Sequence, residues 1–191
     1  RKENTKYIEN LLISKKTKKY LTKLEMSQLR AELAHAYFIF KKDQESIRQS
    51  RISINLSNSQ NALAFWAGGL AAWRFGDYKL SKWFFNNLSE LTSGPESILS
   101  GGSFWSAKLA YHMGETKEIN KYLKRAANYE RTFYSTLAKA SLGYKDDFNF
   151  DLDPIKERFV NKLKSLPGGQ RILALLQVSE HHKASREFRK I

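Results

Sequence analysis

Apolar residues recur at three- and four-residue steps along most of this chain, the spacing that gathers them on one face of an α-helix, and two-residue alternation is hard to find. A basic opening stretch from Lys6 to Lys23, in which Tyr7, Ile8, Leu11, Leu12, Tyr20, Leu21 and the following Leu24 are apolar, predicts one or two helices. Leu29, Leu33, Ala36, Tyr37 and Phe40 predict a helix from Ser27 to Lys41, and another follows from about Gln44 to Ile54, with Leu56 to Gln60 as the turn after it. The next helix runs from about Asn61 to Phe75. A turn at Gly76-Asp77, with Asp77 as N-cap, leads into a helix from about Tyr78 to Leu91.

Thr92-Ser93-Gly94-Pro95-Glu96 then combines a breaker, a proline suited to a first turn and an acid that complements the helix dipole, so a helix is expected from about Pro95 to Met113. Gly114-Glu115 forms the next turn, followed by a helix to about Ala127 and one from Tyr129 to Leu142 that stops at Gly143. Lys145 to Asp151 reads as the loosest loop, and Asp153-Pro154 as another helix start. Leu166-Pro167-Gly168-Gly169 separates that short helix from a final pair spanning about Gln170 to Lys190. The pattern predicts an all-α chain.

Three of these hairpins share one arrangement. Phe65-Trp66 leads to Ala72-Trp73-Arg74-Phe75-Gly76-Asp77, with Ser81 and Phe85 five and nine positions beyond the glycine. Phe104-Trp105 leads to Ala110-Tyr111-His112-Met113-Gly114-Glu115, with Ile119 and Leu123 at the same offsets. Leu173-Ala174-Leu175-Leu176 leads to Ser179, with Ala184 and Phe188 again at those offsets and serine in place of glycine. A glycine that ends one helix, an acid that caps the next and small residues that allow close approach follow tetratricopeptide-like logic. Gly76 and Gly114 are 38 residues apart, slightly more than a regular tetratricopeptide unit, so the expectation is an α-superhelix of antiparallel helical hairpins with degenerate repeats. One domain over 1–191 is expected: N-terminal hairpins over 1–60, the best-matched repeats over 61–143 and C-terminal hairpins over 144–191.

Composition narrows the class. A chain of 191 residues with 41% hydrophobic residues, 4 Trp, 9 Tyr and 12 Phe is apolar enough to fold around a core. The formal net charge of +14 and a pI near 9.9 attract polyanions, whether nucleic acid, anionic lipid or acidic polymer; genomic base composition would equally produce such solvated lysines. Absence of cysteine excludes a disulfide framework, a zinc finger and a thiol nucleophile. The sequence begins with Arg1 rather than Met, as expected of an interior piece or a processed product, and an export signal would lie upstream. The most apolar run, Ala62 to Trp73, is too short to cross a bilayer, so no transmembrane segment is expected.

The stretch from Ala62 to Tyr144 resembles the helical domain of soluble lytic murein transglycosylases of the alphaproteobacterial type. That family shows a Trp-containing helix ending in Leu-Gly-Asp, an aromatic second helix, a Pro-containing turn, a Tyr-Trp helix ending in Gly, then Ala-Ala, an aromatic-proline turn, Thr-Phe-Tyr-Gly and Leu-Gly. Here Trp66 and Trp73 precede Phe75-Gly76-Asp77, and Trp83-Phe84-Phe85 forms the aromatic helix. Gly94-Pro95-Glu96-Ser97 supplies the turn, and Phe104-Trp105 stands before Gly114. Ala126-Ala127, Arg131-Thr132-Phe133-Tyr134-Ser135 and Leu142-Gly143 complete the ordered set, with Ser135 where the family usually has glycine and Glu130 where proline is common. Gly169-Gln170-Arg171 through Phe188 is similar to the segment that precedes the family's catalytic domain, so the resemblance extends to about Phe188. These residues read as structural, and Thr132-Phe133-Tyr134 as packing aromatics rather than a sugar-stacking platform.

The resemblance implies a periplasmic protein that binds peptidoglycan beside its own catalytic domain, the whole enzyme cleaving the glycosidic bond between N-acetylmuramic acid and N-acetylglucosamine to leave 1,6-anhydro ends. Such chemistry rests on one acid with a raised pKa, usually Glu in a Glu-Ser pair. Gln44-Glu45-Ser46 superficially matches that motif, but no Gly-Leu-Met-Gln segment follows and Glu45 lies among Lys41, Lys42, Asp43 and Arg48, so it reads as a salt-bridging surface residue. No catalytic residue is expected in this chain. His181 and His182 are adjacent and would point about a hundred degrees apart on a helix, and His35 and His112 sit in apolar helical runs, so no metal site is expected. Gly68-Gly69, Gly101-Gly102 and Gly168-Gly169 lack the lysine and spacing of a phosphate-cradling loop and read as close packing or turns; no cofactor is expected. The alternative function is a stand-alone tetratricopeptide-like adaptor that binds a protein segment, and no recognised nucleic-acid-binding module is present.

Overall fold

Five helix starts carry a side chain, Ser14, Thr22, Asn61, Asp77 or Thr132, that accepts from one of the helix's own orphan N–H groups. The computed structural model describes residues 2–145 and 154–191. Within them lie α1 (Lys2–Ile13), α2 (Lys15–Tyr20), α3 (Lys23–Ile39), α4 (Asp43–Leu56), α5 (Ala62–Phe75), α6 (Tyr78–Glu90), α7 (Glu96–His112), α8 (Thr116–Ala127), α9 (Phe133–Ser141), α10 (Glu157–Lys164), α11 (Pro167–Gln177) and α12 (His181–Phe188). Thr22 and Glu25 form a capping box at α3, while Asn61 caps α5, Asp77 caps α6 and Thr132 caps α9. The described residues are all-helical, with no strand among them.

The chain divides into two compact units, Arg1–Asp146 and Asp147–Ile191. In the first, each helix from α3 to α9 packs on the next one in sequence, and α5 also touches α3 and α7, as α7 does α9. Its main core joins Ala64, Phe65 and Ala72 of α5 to Phe84, Phe85 and Leu88 of α6 and to Leu99 and Leu109 of α7. Small residues set these approaches. A methyl group at Gly68 would lie 2.5 Å from the Phe84 ring, and one at Gly102 2.5 Å from Cγ of Leu88, so neither position admits a side chain without displacing a core residue.

The expected corners have a common geometry. At Gly76 (φ 88°) the Asp77 N–H donates to the Ala72 carbonyl at 3.0 Å and the Gly76 N–H to the Trp73 carbonyl at 3.1 Å, the paired bonds of a Schellman turn. Gly114, Gly143 and Ser179 carry the same pair of bonds, and so does Lys41 (φ 60°), between α3 and α4, a corner that lacks both the glycine and the acid of the sequence pattern. Five and nine positions beyond Lys41 stand Ser46 and Ser50, both fully buried, so the offset pattern extends to this pair as well.

Boundaries and placements depart from the sequence reading at several points; α3 begins at Lys23 rather than Ser27, and α10 at Glu157, beyond the start expected at Asp153-Pro154. The helix expected from Tyr129 begins only at Phe133, because Arg131 takes a positive φ of 53° and Thr132 turns its hydroxyl to the Ser135 N–H. Pro167, Gly168 and Gly169 do not separate two helices; they form the first turn of α11, where a proline loses no hydrogen bond. A methyl group at Gly169 would fall 1.8 Å from the Leu163 carbonyl oxygen, which is why α10 can turn so tightly into α11. Lastly, Phe188, at the inward offset of the sequence pattern, is half exposed. The loop expected over 145–151 and Asp153 lie, Lys145 apart, outside the described residues.

Candidate functional site

Trp66 and Trp73 are seven residues apart on α5, two turns, and therefore share one face of that helix. Across from them α7 presents Trp105, then Lys108 and His112 three and seven positions on, and α6 contributes Phe85 and Tyr78. Trp73 meets Trp105 edge to face at 5.4 Å between ring centroids, and Trp105 stacks on Phe85 at 5.4 Å with 14° between planes. Trp66 meets Phe85 at 5.8 Å and Tyr134 of α9 at 5.6 Å, and the Trp105 indole N–H donates to the Tyr134 hydroxyl at 3.4 Å. One aromatic seam thus runs through α5, α6, α7 and α9. Gly101 makes room for it, since a methyl group there would lie 2.7 Å from the Trp66 ring and 3.0 Å from that of Tyr134.

At the solvent side of this seam the Lys108 ammonium sits 4.2 Å from the Trp105 ring centroid and 5.1 Å from that of Trp73, a cation held over two indoles. His112 stands beside it, 4.3 Å from the Tyr78 ring and 5.4 Å from Trp73, and Tyr111 is almost fully exposed. Ion pairs fasten the seam's edges: Lys82 with Glu115 joins α6 to the start of α8, and Arg125 with Glu90 joins α8 to the end of α6. Arg125 also donates to the Ser89 carbonyl at 3.1 Å. Aromatic rings and one positive charge are groups that can bind a ligand.

The residues that carry the family resemblance fall into four placements: the seam, the corners, helix ends and the surface. Trp66, Trp73, Phe85, Trp105 and Tyr134 form the seam. Gly76, Asp77, Gly114 and Gly143 make corners, Pro95 is the N-cap of α7, and Leu142 closes α9 while packing on Ala138. Thr132 caps α9 and donates from Oγ1 to the buried Ser100 hydroxyl at 2.9 Å, linking α9 to α7. Phe133 differs from its neighbour Tyr134: its ring is 70% exposed, so the Thr-Phe-Tyr element splits into a cap, a surface aromatic and a packed one.

Glu45 lies in the first turn of α4, where a carboxylate complements the helix dipole and attracts Arg48 one turn on. His181 and His182 are both exposed in the first turn of α12. Among the described residues no three His, Asp or Glu side chains converge as metal ligands would, and no helix is long and apolar enough to cross a membrane.

A second polar constellation, absent from the sequence reading, fixes α1 to α3 and α4. The Tyr37 hydroxyl donates to Glu9 Oε2 at 2.6 Å, Gln49 Nε2 to Glu9 Oε1 at 2.8 Å, and Arg30 to Gln49 Oε1 at 2.6 Å; Arg48 pairs with Glu9 at 2.7 Å. Burial works to raise the Glu9 pKa, but the hydrogen bonds from Arg48 and Tyr37 and the charges of Arg48 and Arg30 outweigh it and hold the carboxyl below its ordinary value. Tyr37 is pushed up to about 12 by burial and then by its bond to the Glu9 carboxylate. Nothing in local periodicity marks this group, because its members come from three helices. The sequence reading did not single out Lys108 either; the signal that could have found it is its place three residues beyond Trp105 on one helix. Compared with family models, curated proteins and solved structures, this chain matches none of them.

Proposed function

We propose that this chain is the non-catalytic helical scaffold of a periplasmic peptidoglycan lytic transglycosylase, an α-superhelix of degenerate tetratricopeptide-like hairpins that lies beside the catalytic domain of the whole enzyme. The observation that carries the reading is the seam itself: Trp66, Trp73, Phe85, Trp105 and Tyr134, drawn from separate elements of the family's ordered motif set, meet in one continuous aromatic contact. Contacts between every second helix from α3 to α9 support the superhelical part, since stacked hairpins bury their first helices against one another. The net charge of +14 supports attraction to the carboxylates of peptidoglycan stem peptides.

The test is digestion of purified sacculi by the protein encoded by the complete reading frame, beside this chain alone. Soluble products ending in 1,6-anhydro-muramic acid from the former, with salt-sensitive pelleting but no products from the latter, are expected. A complete protein that yields no such ends overturns the enzyme assignment in favour of a stand-alone adaptor for protein segments.

A further inference from the structure

In the unit spanning 147–191, α11 and α12 pack against each other and leave a groove of about 640 Å³ between them. Positions 171, 174 and 175 of α11 and its C-cap at 178 follow helical spacing, so Arg171 and the apolar Ala174, Leu175 and Val178 share the face that lines it. On the other wall Lys183, Arg186 and Glu187 are a turn apart on α12, and Lys190 follows. Four cations therefore rim an apolar floor that carries a single carboxylate. Glu187 is engaged by Arg171 at 3.3 Å and Lys190 at 2.6 Å, and Lys183 pairs with Glu180 at 3.0 Å, so the rim keeps an excess of positive charge after these two carboxylates are counted. Val178, on the floor side, is 67% exposed.

We infer that this groove docks an acidic amphipathic helix of a protein partner. Three features select that occupant. An apolar floor gives a phosphate backbone nothing to bind, so the cations do not read as a nucleic-acid track. A recess between two helices accepts a convex ridge of side chains, whereas a bilayer presents a flat surface. The pattern of apolar centre and cationic rim is the complement of a helix with leucine-like residues at i, i+3 or i+4 and i+7 and carboxylates on either side. Eleven residues of α11 give the groove a length of roughly 16 Å, so the partner helix spans about three turns. The inference stands independently of the transglycosylase assignment.

A blocked peptide of about four helical turns, with leucines on one stripe and glutamates flanking it, is the probe, titrated into the full chain by calorimetry and by amide chemical shifts. Saturable binding with shifts confined to α11 and α12 is expected, weakened about tenfold or more by the double charge reversal Lys183→Glu with Arg186→Glu and, separately, by filling the floor with Ala174→Trp. All three positions are exposed, and helical content of each variant is checked first. Absence of peptide binding, equal binding by the variants, or equal binding by a peptide with lysines in place of the glutamates overturns the inference. So does charge-reversal-sensitive binding to anionic phosphatidylglycerol vesicles with no response to the peptide.

Discussion

Trp105 is held on two sides at once, its ring stacked on Phe85 at 5.4 Å and set edge to face with Trp73 at the same distance. Those contacts join α5, α6 and α7, and the indole N–H adds α9 through Tyr134. Truncating this side chain removes packing from four helices. Trp105→Ala should lower the unfolding free energy by about 3 kcal/mol, toward the low end for large aromatics because the ring is only partly buried. Lys108→Ala, which removes the cation above the ring and leaves the packing, should cost about 0.5–1 kcal/mol. Urea titrations of the two variants check the order; a Lys108 effect equal to that of Trp105 would mean the seam is held by charge rather than by packing.

The corner at Ser179 takes a left-handed conformation, φ 60°, that costs an ordinary L-residue about 1 kcal/mol, and the corner at Lys41 takes the same φ. At Gly76 the glycine avoids that cost, and a methyl group there would meet nothing within 4 Å, so only backbone strain is at issue. Ser179→Gly should therefore raise the stability of the second unit by up to about 1 kcal/mol, and Gly76→Ala should lower that of the first by about as much. Thermal melts, or hydrogen exchange resolved to each unit, decide the matter. No gain from Ser179→Gly would show that the serine hydroxyl compensates locally.

How far these corners could be read from the sequence depended on whether steric or tertiary need dictated the residue. Gly76 and Gly114 were legible because only glycine occupies φ near 80° without strain, and Asp77 because its carboxylate satisfies the Leu80 N–H. The break at Lys41 was legible as a helix end, but its left-handed corner was not, because tertiary packing of α3 on α4 imposes a conformation that the local sequence does not favour, and the buried Ser46 and Ser50 are too small to register as apolar periodicity. The start of α9 was misplaced because Tyr129 sits at the right helical spacing while the true stop, Arg131 at positive φ, carries no glycine. In the seam, aromatic identity was legible from spacing and pairing was not: Trp66 finds Tyr134 only because Gly101 stands aside, a relation that spans separate helices. Glu9 was least legible of all, an acid in the basic N-terminal region whose partners lie 28 and 40 residues away.

Glu9 also gives the fold a pH dependence whose sign is fixed. Its carboxyl titrates lower in the folded protein than the ordinary 4.5, so the unfolded chain binds the proton more readily; the stabilisation is complete above 4.5 and drains away as pH falls through the folded value. Tyr37 acts at the other end. Its folded pKa of about 12 exceeds the ordinary 10, so its contribution is complete below 10 and disappears as pH climbs toward 12. Glu9→Gln keeps the shape, removes the negative charge that pairs with Arg48 and should cost about 2 kcal/mol at pH 7, the range of hydrogen bonds to charged groups. The difference between wild type and variant should then shrink steadily below pH 4.5, as the wild-type carboxyl becomes neutral too. Hydrogen exchange of α1 amides is the direct measurement, because Glu9, with Thr5 and Leu12, is what that helix buries, while Tyr7, Ile8 and Leu11 face outward. Protection of α1 that is equal in both proteins at pH 7 would mean that Leu12, and not the Glu9 network, holds the helix in place.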